Sequence, residues 1–176
     1  MIIYTGRFQP FHNGHIMLVK RLQELYPQEI ICIAIIKNVP LHYKDDFDYS
    51  VDLMMTKERN PFDSETTLRI VTKIIKNHFP ENVVATLMPR ASSDNWSTIT
   101  SLFDCTRIWV FTENQSALDE WEKKKIEFYM AQGEKVIILP VDKSIEGIDV
   151  RNALLKKNLS ELQKLLPIEV LEIIDC

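Results

Sequence analysis

Residues 6 to 15 read Gly6-Arg7-Phe8-Gln9-Pro10-Phe11-His12-Asn13-Gly14-His15, and this run gathers the groups needed to handle a polyphosphate. Arg7 offers a forked, permanent positive charge, and His12 and His15 offer ring N–H donors close to neutral pH. Gly14 lacks the Cβ that would hold a triphosphate away from the backbone. The run follows the apolar Met1-Ile2-Ile3-Tyr4 and leads into a helical pattern near Gly14. A strand, a Gly/Pro-punctuated turn and a helix start together present backbone N–H groups and a positive helix end to an anion. Two histidines three residues apart also fit a metal site or a helix cap when taken alone. Placed between a strand and a helix, with Arg7 beside them, they read as a site for a nucleotide's phosphates.

The rest of the chain alternates short apolar runs with longer helical patterns, as βαβ units around a parallel sheet do. Strands are expected over residues 1–5, 29–36, 83–88, 107–112 and 135–141, each rich in Ile or Val and bounded by polar residues. Helices are expected over 14–25, 64–77, 95–103 and 117–132. Asp63 or Ser64 suits the N-cap of the second, and Gly133 suits the left-handed turn that ends the fourth. Residues 149–157 and 160–174 read as two short helices, with Pro167 at a bend or a helix start. Trp109 and Trp121 read as strand and helix packing. The expected fold is a Rossmann-like α/β single domain over 1–176: a five-stranded parallel sheet, helices on both faces and a C-terminal helical tail. Such sheets bind ligands beyond the carboxyl ends of their strands, where the strand order reverses, and the 6–15 loop follows the first strand at such an end.

Composition agrees with a compact enzyme. The 176 residues are 45% apolar, enough for one sizeable core, and no Pro/Gly/Ser-rich linker or repeat divides them. A formal net charge of -4 argues against a nucleic-acid partner, a role that needs a strong excess of Lys and Arg. Cys32, Cys105 and Cys176 have no paired spacing, so neither a disulfide framework nor a metal-ligating set is assigned, and the thiols are expected to be reduced. No signal peptide precedes the functional segment, and apolar runs such as 30–36 fall far short of the ~20 residues of a membrane span. A cytoplasmic protein with no membrane association is expected.

The wording GRFQPFHNGH closely resembles the first signature of the HxGH nucleotidyltransferase superfamily, and Arg-Phe-Gln-Pro-Phe-His looks like its archaeal-type nicotinamide mononucleotide adenylyltransferases. Three later segments extend the likeness. Arg59-Asn60-Pro61-Phe62 resembles an Arg-Asx-Pro-aromatic element after the second strand, which implies that Arg59, with Asn60, holds the mononucleotide phosphate. Asp94-Asn95-Trp96 resembles an element whose indole stacks on the nicotinamide, which implies that role for Trp96 and a polar contact for Asn95. Ile145-Glu146-Gly147-Ile148-Asp149-Val150-Arg151 resembles an Ile-Ser-x-Thr-x-x-Arg element that grips the triphosphate. Arg151 matches there, but the two hydroxyl positions hold Glu146 and Ile148 in the gapless register. The closing helices, with Leu166-Pro167 before an apolar-periodic segment, match as well. Residues 37–58 depart from the pattern as an insertion, open to reading as a lid, an oligomer contact or a changed substrate wall.

The resemblance implies a reaction in which ATP and nicotinamide mononucleotide give NAD and pyrophosphate. It assigns Gly6, Arg7, Phe8, His12, Gly14, His15, Gly147 and Arg151 to ATP, with His12, His15, Arg7 and Arg151 stabilising the transition state. Mg2+ is expected to arrive with ATP, and a homo-oligomer is expected. Two alternatives stand beside this reading: another nucleotidyltransferase of the same fold, such as a cytidylyltransferase acting on a different phosphate ester, and a non-catalytic nucleotide sensor.

Overall fold

The computed structural model describes residues 1–38, 60–113, 120–140 and 145–174. Five strands form one sheet: β1 (Ile2–Gly6), β2 (Ile31–Ile36), β3 (Val83–Met88), β4 (Ile108–Glu113) and β5 (Lys135–Pro140). Every pairing is parallel, and the order β3-β2-β1-β4-β5 reverses direction between β1 and β4. This is the expected Rossmann-like sheet, with its crevice at the carboxyl ends of β1 and β4.

Seven helices are found among the described residues: α1 (Asn13–Leu25), α2 (Ser64–His78), α3 (Trp96–Leu102), α4 (Glu120–Ala131), α5 (Gly147–Leu155), α6 (Leu159–Leu165) and α7 (Ile168–Leu171). Asp63 caps α2, its Oδ1 accepting from the Thr66 N–H at 2.6 Å. Gly133 closes α4 with φ 79°, in the left-handed region that costs glycine least. The tail has three helices where two were expected. Leu166 is extended, with ψ 143°, and Pro167, which has no N–H to give, caps α7, so the segment expected as one helix is divided there.

The two faces of the sheet bury different kinds of side chain, as the period of two along each strand requires. Ile2 and Tyr4 of β1 and Ile31, Ile33 and Ile35 of β2 pack with α1, α2 and the tail. Ile3, Cys32 and Ala34 face the other way. Cys32 and Ala34 are small, which leaves room on that face for Trp109, Tyr129 and Phe103. Trp109 is fully buried, and its Nε1–H donates to Glu134 Oε2 at 2.8 Å. Arg107 binds the same carboxylate, at 2.6 Å from Nη2 to Oε1. Burial pushes the Glu134 carboxyl up, but the bonds from Arg107 and Trp109 outweigh it and hold the group below its ordinary value. The side chain of Trp121 lies outside those described. Among the described residues no helix is long and apolar enough to cross a membrane.

Candidate active site

After β1 the chain folds back on itself. Phe8 adopts the left-handed backbone conformation, φ 52°, and its ring atoms lie 2.9 Å from where a Cβ on Gly6 would stand. A non-glycine residue keeps such a conformation only where its surroundings over-determine it. Here they do: the Phe8 ring is buried, 5.3 Å from those of Tyr4 and Phe11. His15 is set into the same nest, 5.1 Å from Phe8 edge to face and 5.0 Å from Phe11. Phe8, expected to touch ATP, thus stands beneath His15 and is not among the described residues that line the cavity.

His12 caps α1, and its backbone N–H donates to His15 Nδ1 at 3.1 Å. In a neutral His15 ring the proton is therefore on Nε2. The two imidazoles stack with centroids 3.6 Å apart and an interplanar angle of 24°. Burial pushes the His12 ring down to about 4; Asp149 opposes that shift and Arg151 adds to it. Burial, followed by the neighbouring His12, likewise holds His15 well below its ordinary value. Both rings are neutral at pH 7, which lets them stack without like-charge repulsion and keeps a fixed N–H donor on His15. His12 Nδ1 is buried and has no hydrogen-bond partner among the described residues.

The opposite wall belongs to α5. Glu146 caps this helix, and its backbone N–H donates to Asp149 Oδ2 at 2.9 Å. Arg151 folds back one turn, so that a Cβ on Gly147 would lie 3.0 Å from its Nη1. Gly14 has a related function, since a Cβ there would come within 3.0 Å of His12 Nδ1 and 3.2 Å of the Ile145 carbonyl oxygen. The space left by the glycine is taken by the His12 ring and by the loop before α5, which closes the two walls on each other. Between them lies a cavity of about 450 Å3. His12, Gly14 and His15 line one side, Glu146, Gly147, Ile148 and Arg151 the other, and Tyr4, Leu18, Thr112 and Ile145 complete it. Two helix N-termini, a guanidinium and a fixed imidazole N–H around one space suit a polyanion.

Glu146 and Ile148 both line this cavity, and Ile148 is 51% exposed. Toward a polyanion in this cavity, a carboxylate and an aliphatic chain would supply no donors, and the carboxylate would repel it. The double change Glu146→Ser and Ile148→Thr is expected to lower the apparent ATP constant about five- to thirtyfold, from one or two hydroxyl hydrogen bonds of ~1 kcal/mol each. Titration of ATP with wild type and variant measures this, and an unchanged or weaker affinity would show that these side chains do not meet the phosphates.

The remaining described candidates are not among the residues that line this cavity. Arg7 Nη1 donates to Asn60 Oδ1 at 3.3 Å, which joins the first and second sequence elements. Arg59 lies outside the described residues, as do 39–58 of the insertion. Gln9, 7% exposed, secures the same junction: Nε2 donates to the Phe62 carbonyl at 3.0 Å and to Thr67 Oγ1 at 2.9 Å, and Oε1 accepts from the Phe62 N–H at 3.2 Å. Asn95 donates from Nδ2 to the Arg90 carbonyl at 3.1 Å. Trp96 packs against Tyr129 at 5.1 Å, Phe128 at 5.4 Å and Trp109 at 6.0 Å while keeping part of its surface exposed. Sequence reasoning missed Tyr4, Leu18 and Thr112 in the wall and Gln9 in the junction. The reversal of strand order beside β4 could have pointed to Thr112.

A profile of the cytidylyltransferase-like family matches residues 3–153. The chain belongs to that family. Among curated proteins no sequence match is found. This cytidylyltransferase-like chain is similar in structure to Thermotoga maritima TmcAL bound with alpha-thio ATP, at a TM-score of 0.61 and 12% identity, over 98% of this chain and 54% of that one. It thus spans about half the length of the Thermotoga protein. It is also similar to a putative nicotinate-nucleotide adenylyltransferase from Vibrio parahaemolyticus, at a TM-score of 0.56 and 17% identity, over 98% of this chain and 96% of that one. A third likeness is to Plasmodium falciparum nicotinic acid mononucleotide adenylyltransferase complexed with NaAD, at a TM-score of 0.55 and 17% identity, over 98% and 93% of the two chains. At these identities the likenesses establish the nucleotidyltransferase fold of this cytidylyltransferase-like chain.

Proposed function

We propose that the chain is an adenylyltransferase that joins ATP to nicotinamide mononucleotide, giving NAD and pyrophosphate. The observation that carries this reading is the convergence of the neutral His12–His15 stack and Arg151 on one cavity, at the N-termini of α1 and α5. Family membership and the fold shared with the Vibrio and Plasmodium proteins support it. The phosphate of the mononucleotide attacks the α-phosphorus of ATP in line, the bond to the β-phosphate bridging oxygen breaks, and pyrophosphate leaves. No covalent enzyme intermediate is needed. His15 Nε2–H and Arg151 stabilise charge on the reacting and departing phosphates, and the ends of α1 and α5 hold the triphosphate. Mg2+ enters with ATP as part of the substrate. Arg59 and Asn60 receive the attacking phosphate, and Trp96 offers its exposed surface to the pyridinium, a cation–π contact of ~1–2 kcal/mol.

Pyrophosphate release with ATP or CTP across a panel of mononucleotides tests the proposal. Turnover of ATP with nicotinamide mononucleotide, and formation of NAD, is expected. A CTP preference favours the cytidylyl alternative. ATP binding without pyrophosphate release favours the sensor, the reading to which Glu146 and Ile148 lend weight. Arg59→Ala and Trp96→Ala are each expected to raise the mononucleotide constant about tenfold while leaving the ATP constant within about twofold. Circular dichroism is needed to show that the tryptophan variant is folded, because its ring also packs in the core. An unaltered mononucleotide constant in both variants removes them from the acceptor site.

A further inference from the structure

Gln9 stands between Phe8 and Phe11, the two buried aromatics that hold the His15 ring, and it is itself buried. Burying a primary amide is costly unless its donors and its acceptor are paired. Here the pairing is two-sided on a single residue: Oε1 accepts from the Phe62 N–H at 3.2 Å and Nε2 donates to the Phe62 carbonyl at 3.0 Å, while Thr67 Oγ1 accepts a further bond from Nε2 at 2.9 Å. Gripping both peptide groups of Phe62 fixes its orientation as well as its position, as the exchange of two hydrogen bonds does between paired strands. Asn60, two residues earlier, is at most ~7 Å along the chain from this clamp. Arg7, two residues before Gln9, donates to Asn60 Oδ1 at 3.3 Å. Asn38 Nδ2 gives the same Phe62 carbonyl another donor at 3.2 Å, but from the end of β2, so it carries nothing from the loop of His12 and His15.

Two substrates held on separate elements react only when those elements are in register. In-line attack needs the reacting atoms about 3–3.5 Å apart, and a misplacement of about 1 Å can cost about 10²-fold in rate. We infer that Gln9 is a positioning residue: without lining the cavity, it sets the distance between a polyphosphate on the loop of His12 and His15 and an acceptor phosphate at Asn60. The inference rests on the proposed assignment of Asn60 to the acceptor phosphate. A clamp of this kind couples its two sides reciprocally, so filling the ATP side also steadies the segment from Asn60 to Thr67. That effect can be read without turnover.

The test is Gln9→Met on the full chain, which keeps the length of the side chain and removes all three bonds. Thr67→Val is the comparison, because it takes one buried bond from Gln9 and leaves the clamp on Phe62 in place. Both variants are expected to unfold at lower urea. At equal folded fractions and with both substrates saturating, Gln9→Met is expected to lower kcat about 30-fold with the ATP constant within about twofold, whereas Thr67→Val keeps kcat within about threefold. Hydrogen exchange is the second measurement. An ATP analogue with a methylene bridge between its α- and β-phosphates is expected to slow exchange over residues 60–67 about threefold in wild type and not in Gln9→Met. Should Gln9→Met fail to fold, Gln9→Glu is read in its place: one oxygen still accepts from the Phe62 N–H, and the other faces the Phe62 carbonyl without a proton to give. Turnover close to wild type in the folded Gln9 variant, equal losses in the Gln9 and Thr67 variants, or protection by the analogue that is the same with and without Gln9 each overturn the inference. Protection that depends on Gln9 in a wild type that releases no pyrophosphate overturns the proposed reaction but leaves the clamp standing.

Discussion

Replacing His15 with alanine is expected to lower turnover about 10²–10³-fold, a loss of ~2.7–4 kcal/mol of transition-state stabilisation. The size of the effect follows from how firmly the ring is held. Its Nδ1 accepts from the His12 backbone at 3.1 Å, which leaves the proton on Nε2, and three aromatic rings and the His12 imidazole fix its plane. A donor already oriented at the cavity wall needs no reorganisation when charge develops on the phosphate. Alanine removes the donor and also the acceptor for the His12 N–H, so some stability is lost along with rate. Pyrophosphate release must therefore be compared at equal folded fractions, judged by circular dichroism and thermal melting. Turnover close to wild type in a folded His15→Ala protein would remove His15 from the chemistry.

Mild acid is expected to destabilise the unliganded protein steeply, because His12 and His15 are both held neutral by burial. The His12 ring titrates near 6.5 in an unfolded chain and is pushed down to about 4 in the fold, mainly by burial. Between those values the unfolded chain binds the proton and the fold does not, so stability rises with pH in that window. Stability is at its full value above about 6.5 and falls as pH drops through the window, and the loss reaches ~3 kcal/mol below about 4. His15 shifts in the same direction and adds to the loss. The sign is opposite to that of a histidine paired with a carboxylate in the fold. Urea unfolding between pH 7.5 and 4.5 measures it, with His12→Asn as the comparison, since the amide cannot take the proton. The midpoint of the variant should vary much less with pH than that of wild type; parallel curves would mean that His12 is not held neutral. ATP should flatten the wild-type curve, because a polyanion beside the ring favours its protonated form.

The sheet was legible because its strands are short runs of Ile and Val, and the expected strands match the observed ones to within about two residues at most ends. Asp63 and Gly133 were legible as caps, since the chemistry of a helix end is local. The division of the tail at Pro167 was half legible: proline marks a break, but whether a helix bends or restarts there depends on what Leu166 packs against. Gln9 was not legible. Its partners are 53 and 58 residues away, and no period or turn rule connects a buried amide to a carbonyl at that separation. The neutrality of the histidine pair was equally hidden, because it comes from burial among Tyr4, Phe8 and Phe11. Ring N–H donors near neutral pH could be expected from residue type; their lowered basicity is a property of the folded nest. Trp96 carries two signals at once, packing against three rings and exposing part of its indole, and sequence shows neither proportion.

The ten residues from Gly6 to His15 are the most recognisable part of the chain, yet they do not by themselves make a cradle. Their loop is tied to Phe62 and Thr67 through Gln9, the start of α1 is tied to the Lys164 carbonyl through Asn13, and Gly14 closes against Ile145. During synthesis the signature therefore leaves the ribosome long before the opposite wall of the cavity exists. Until α5 and α6 have been made and docked, a growing chain has one wall of the cavity without the other.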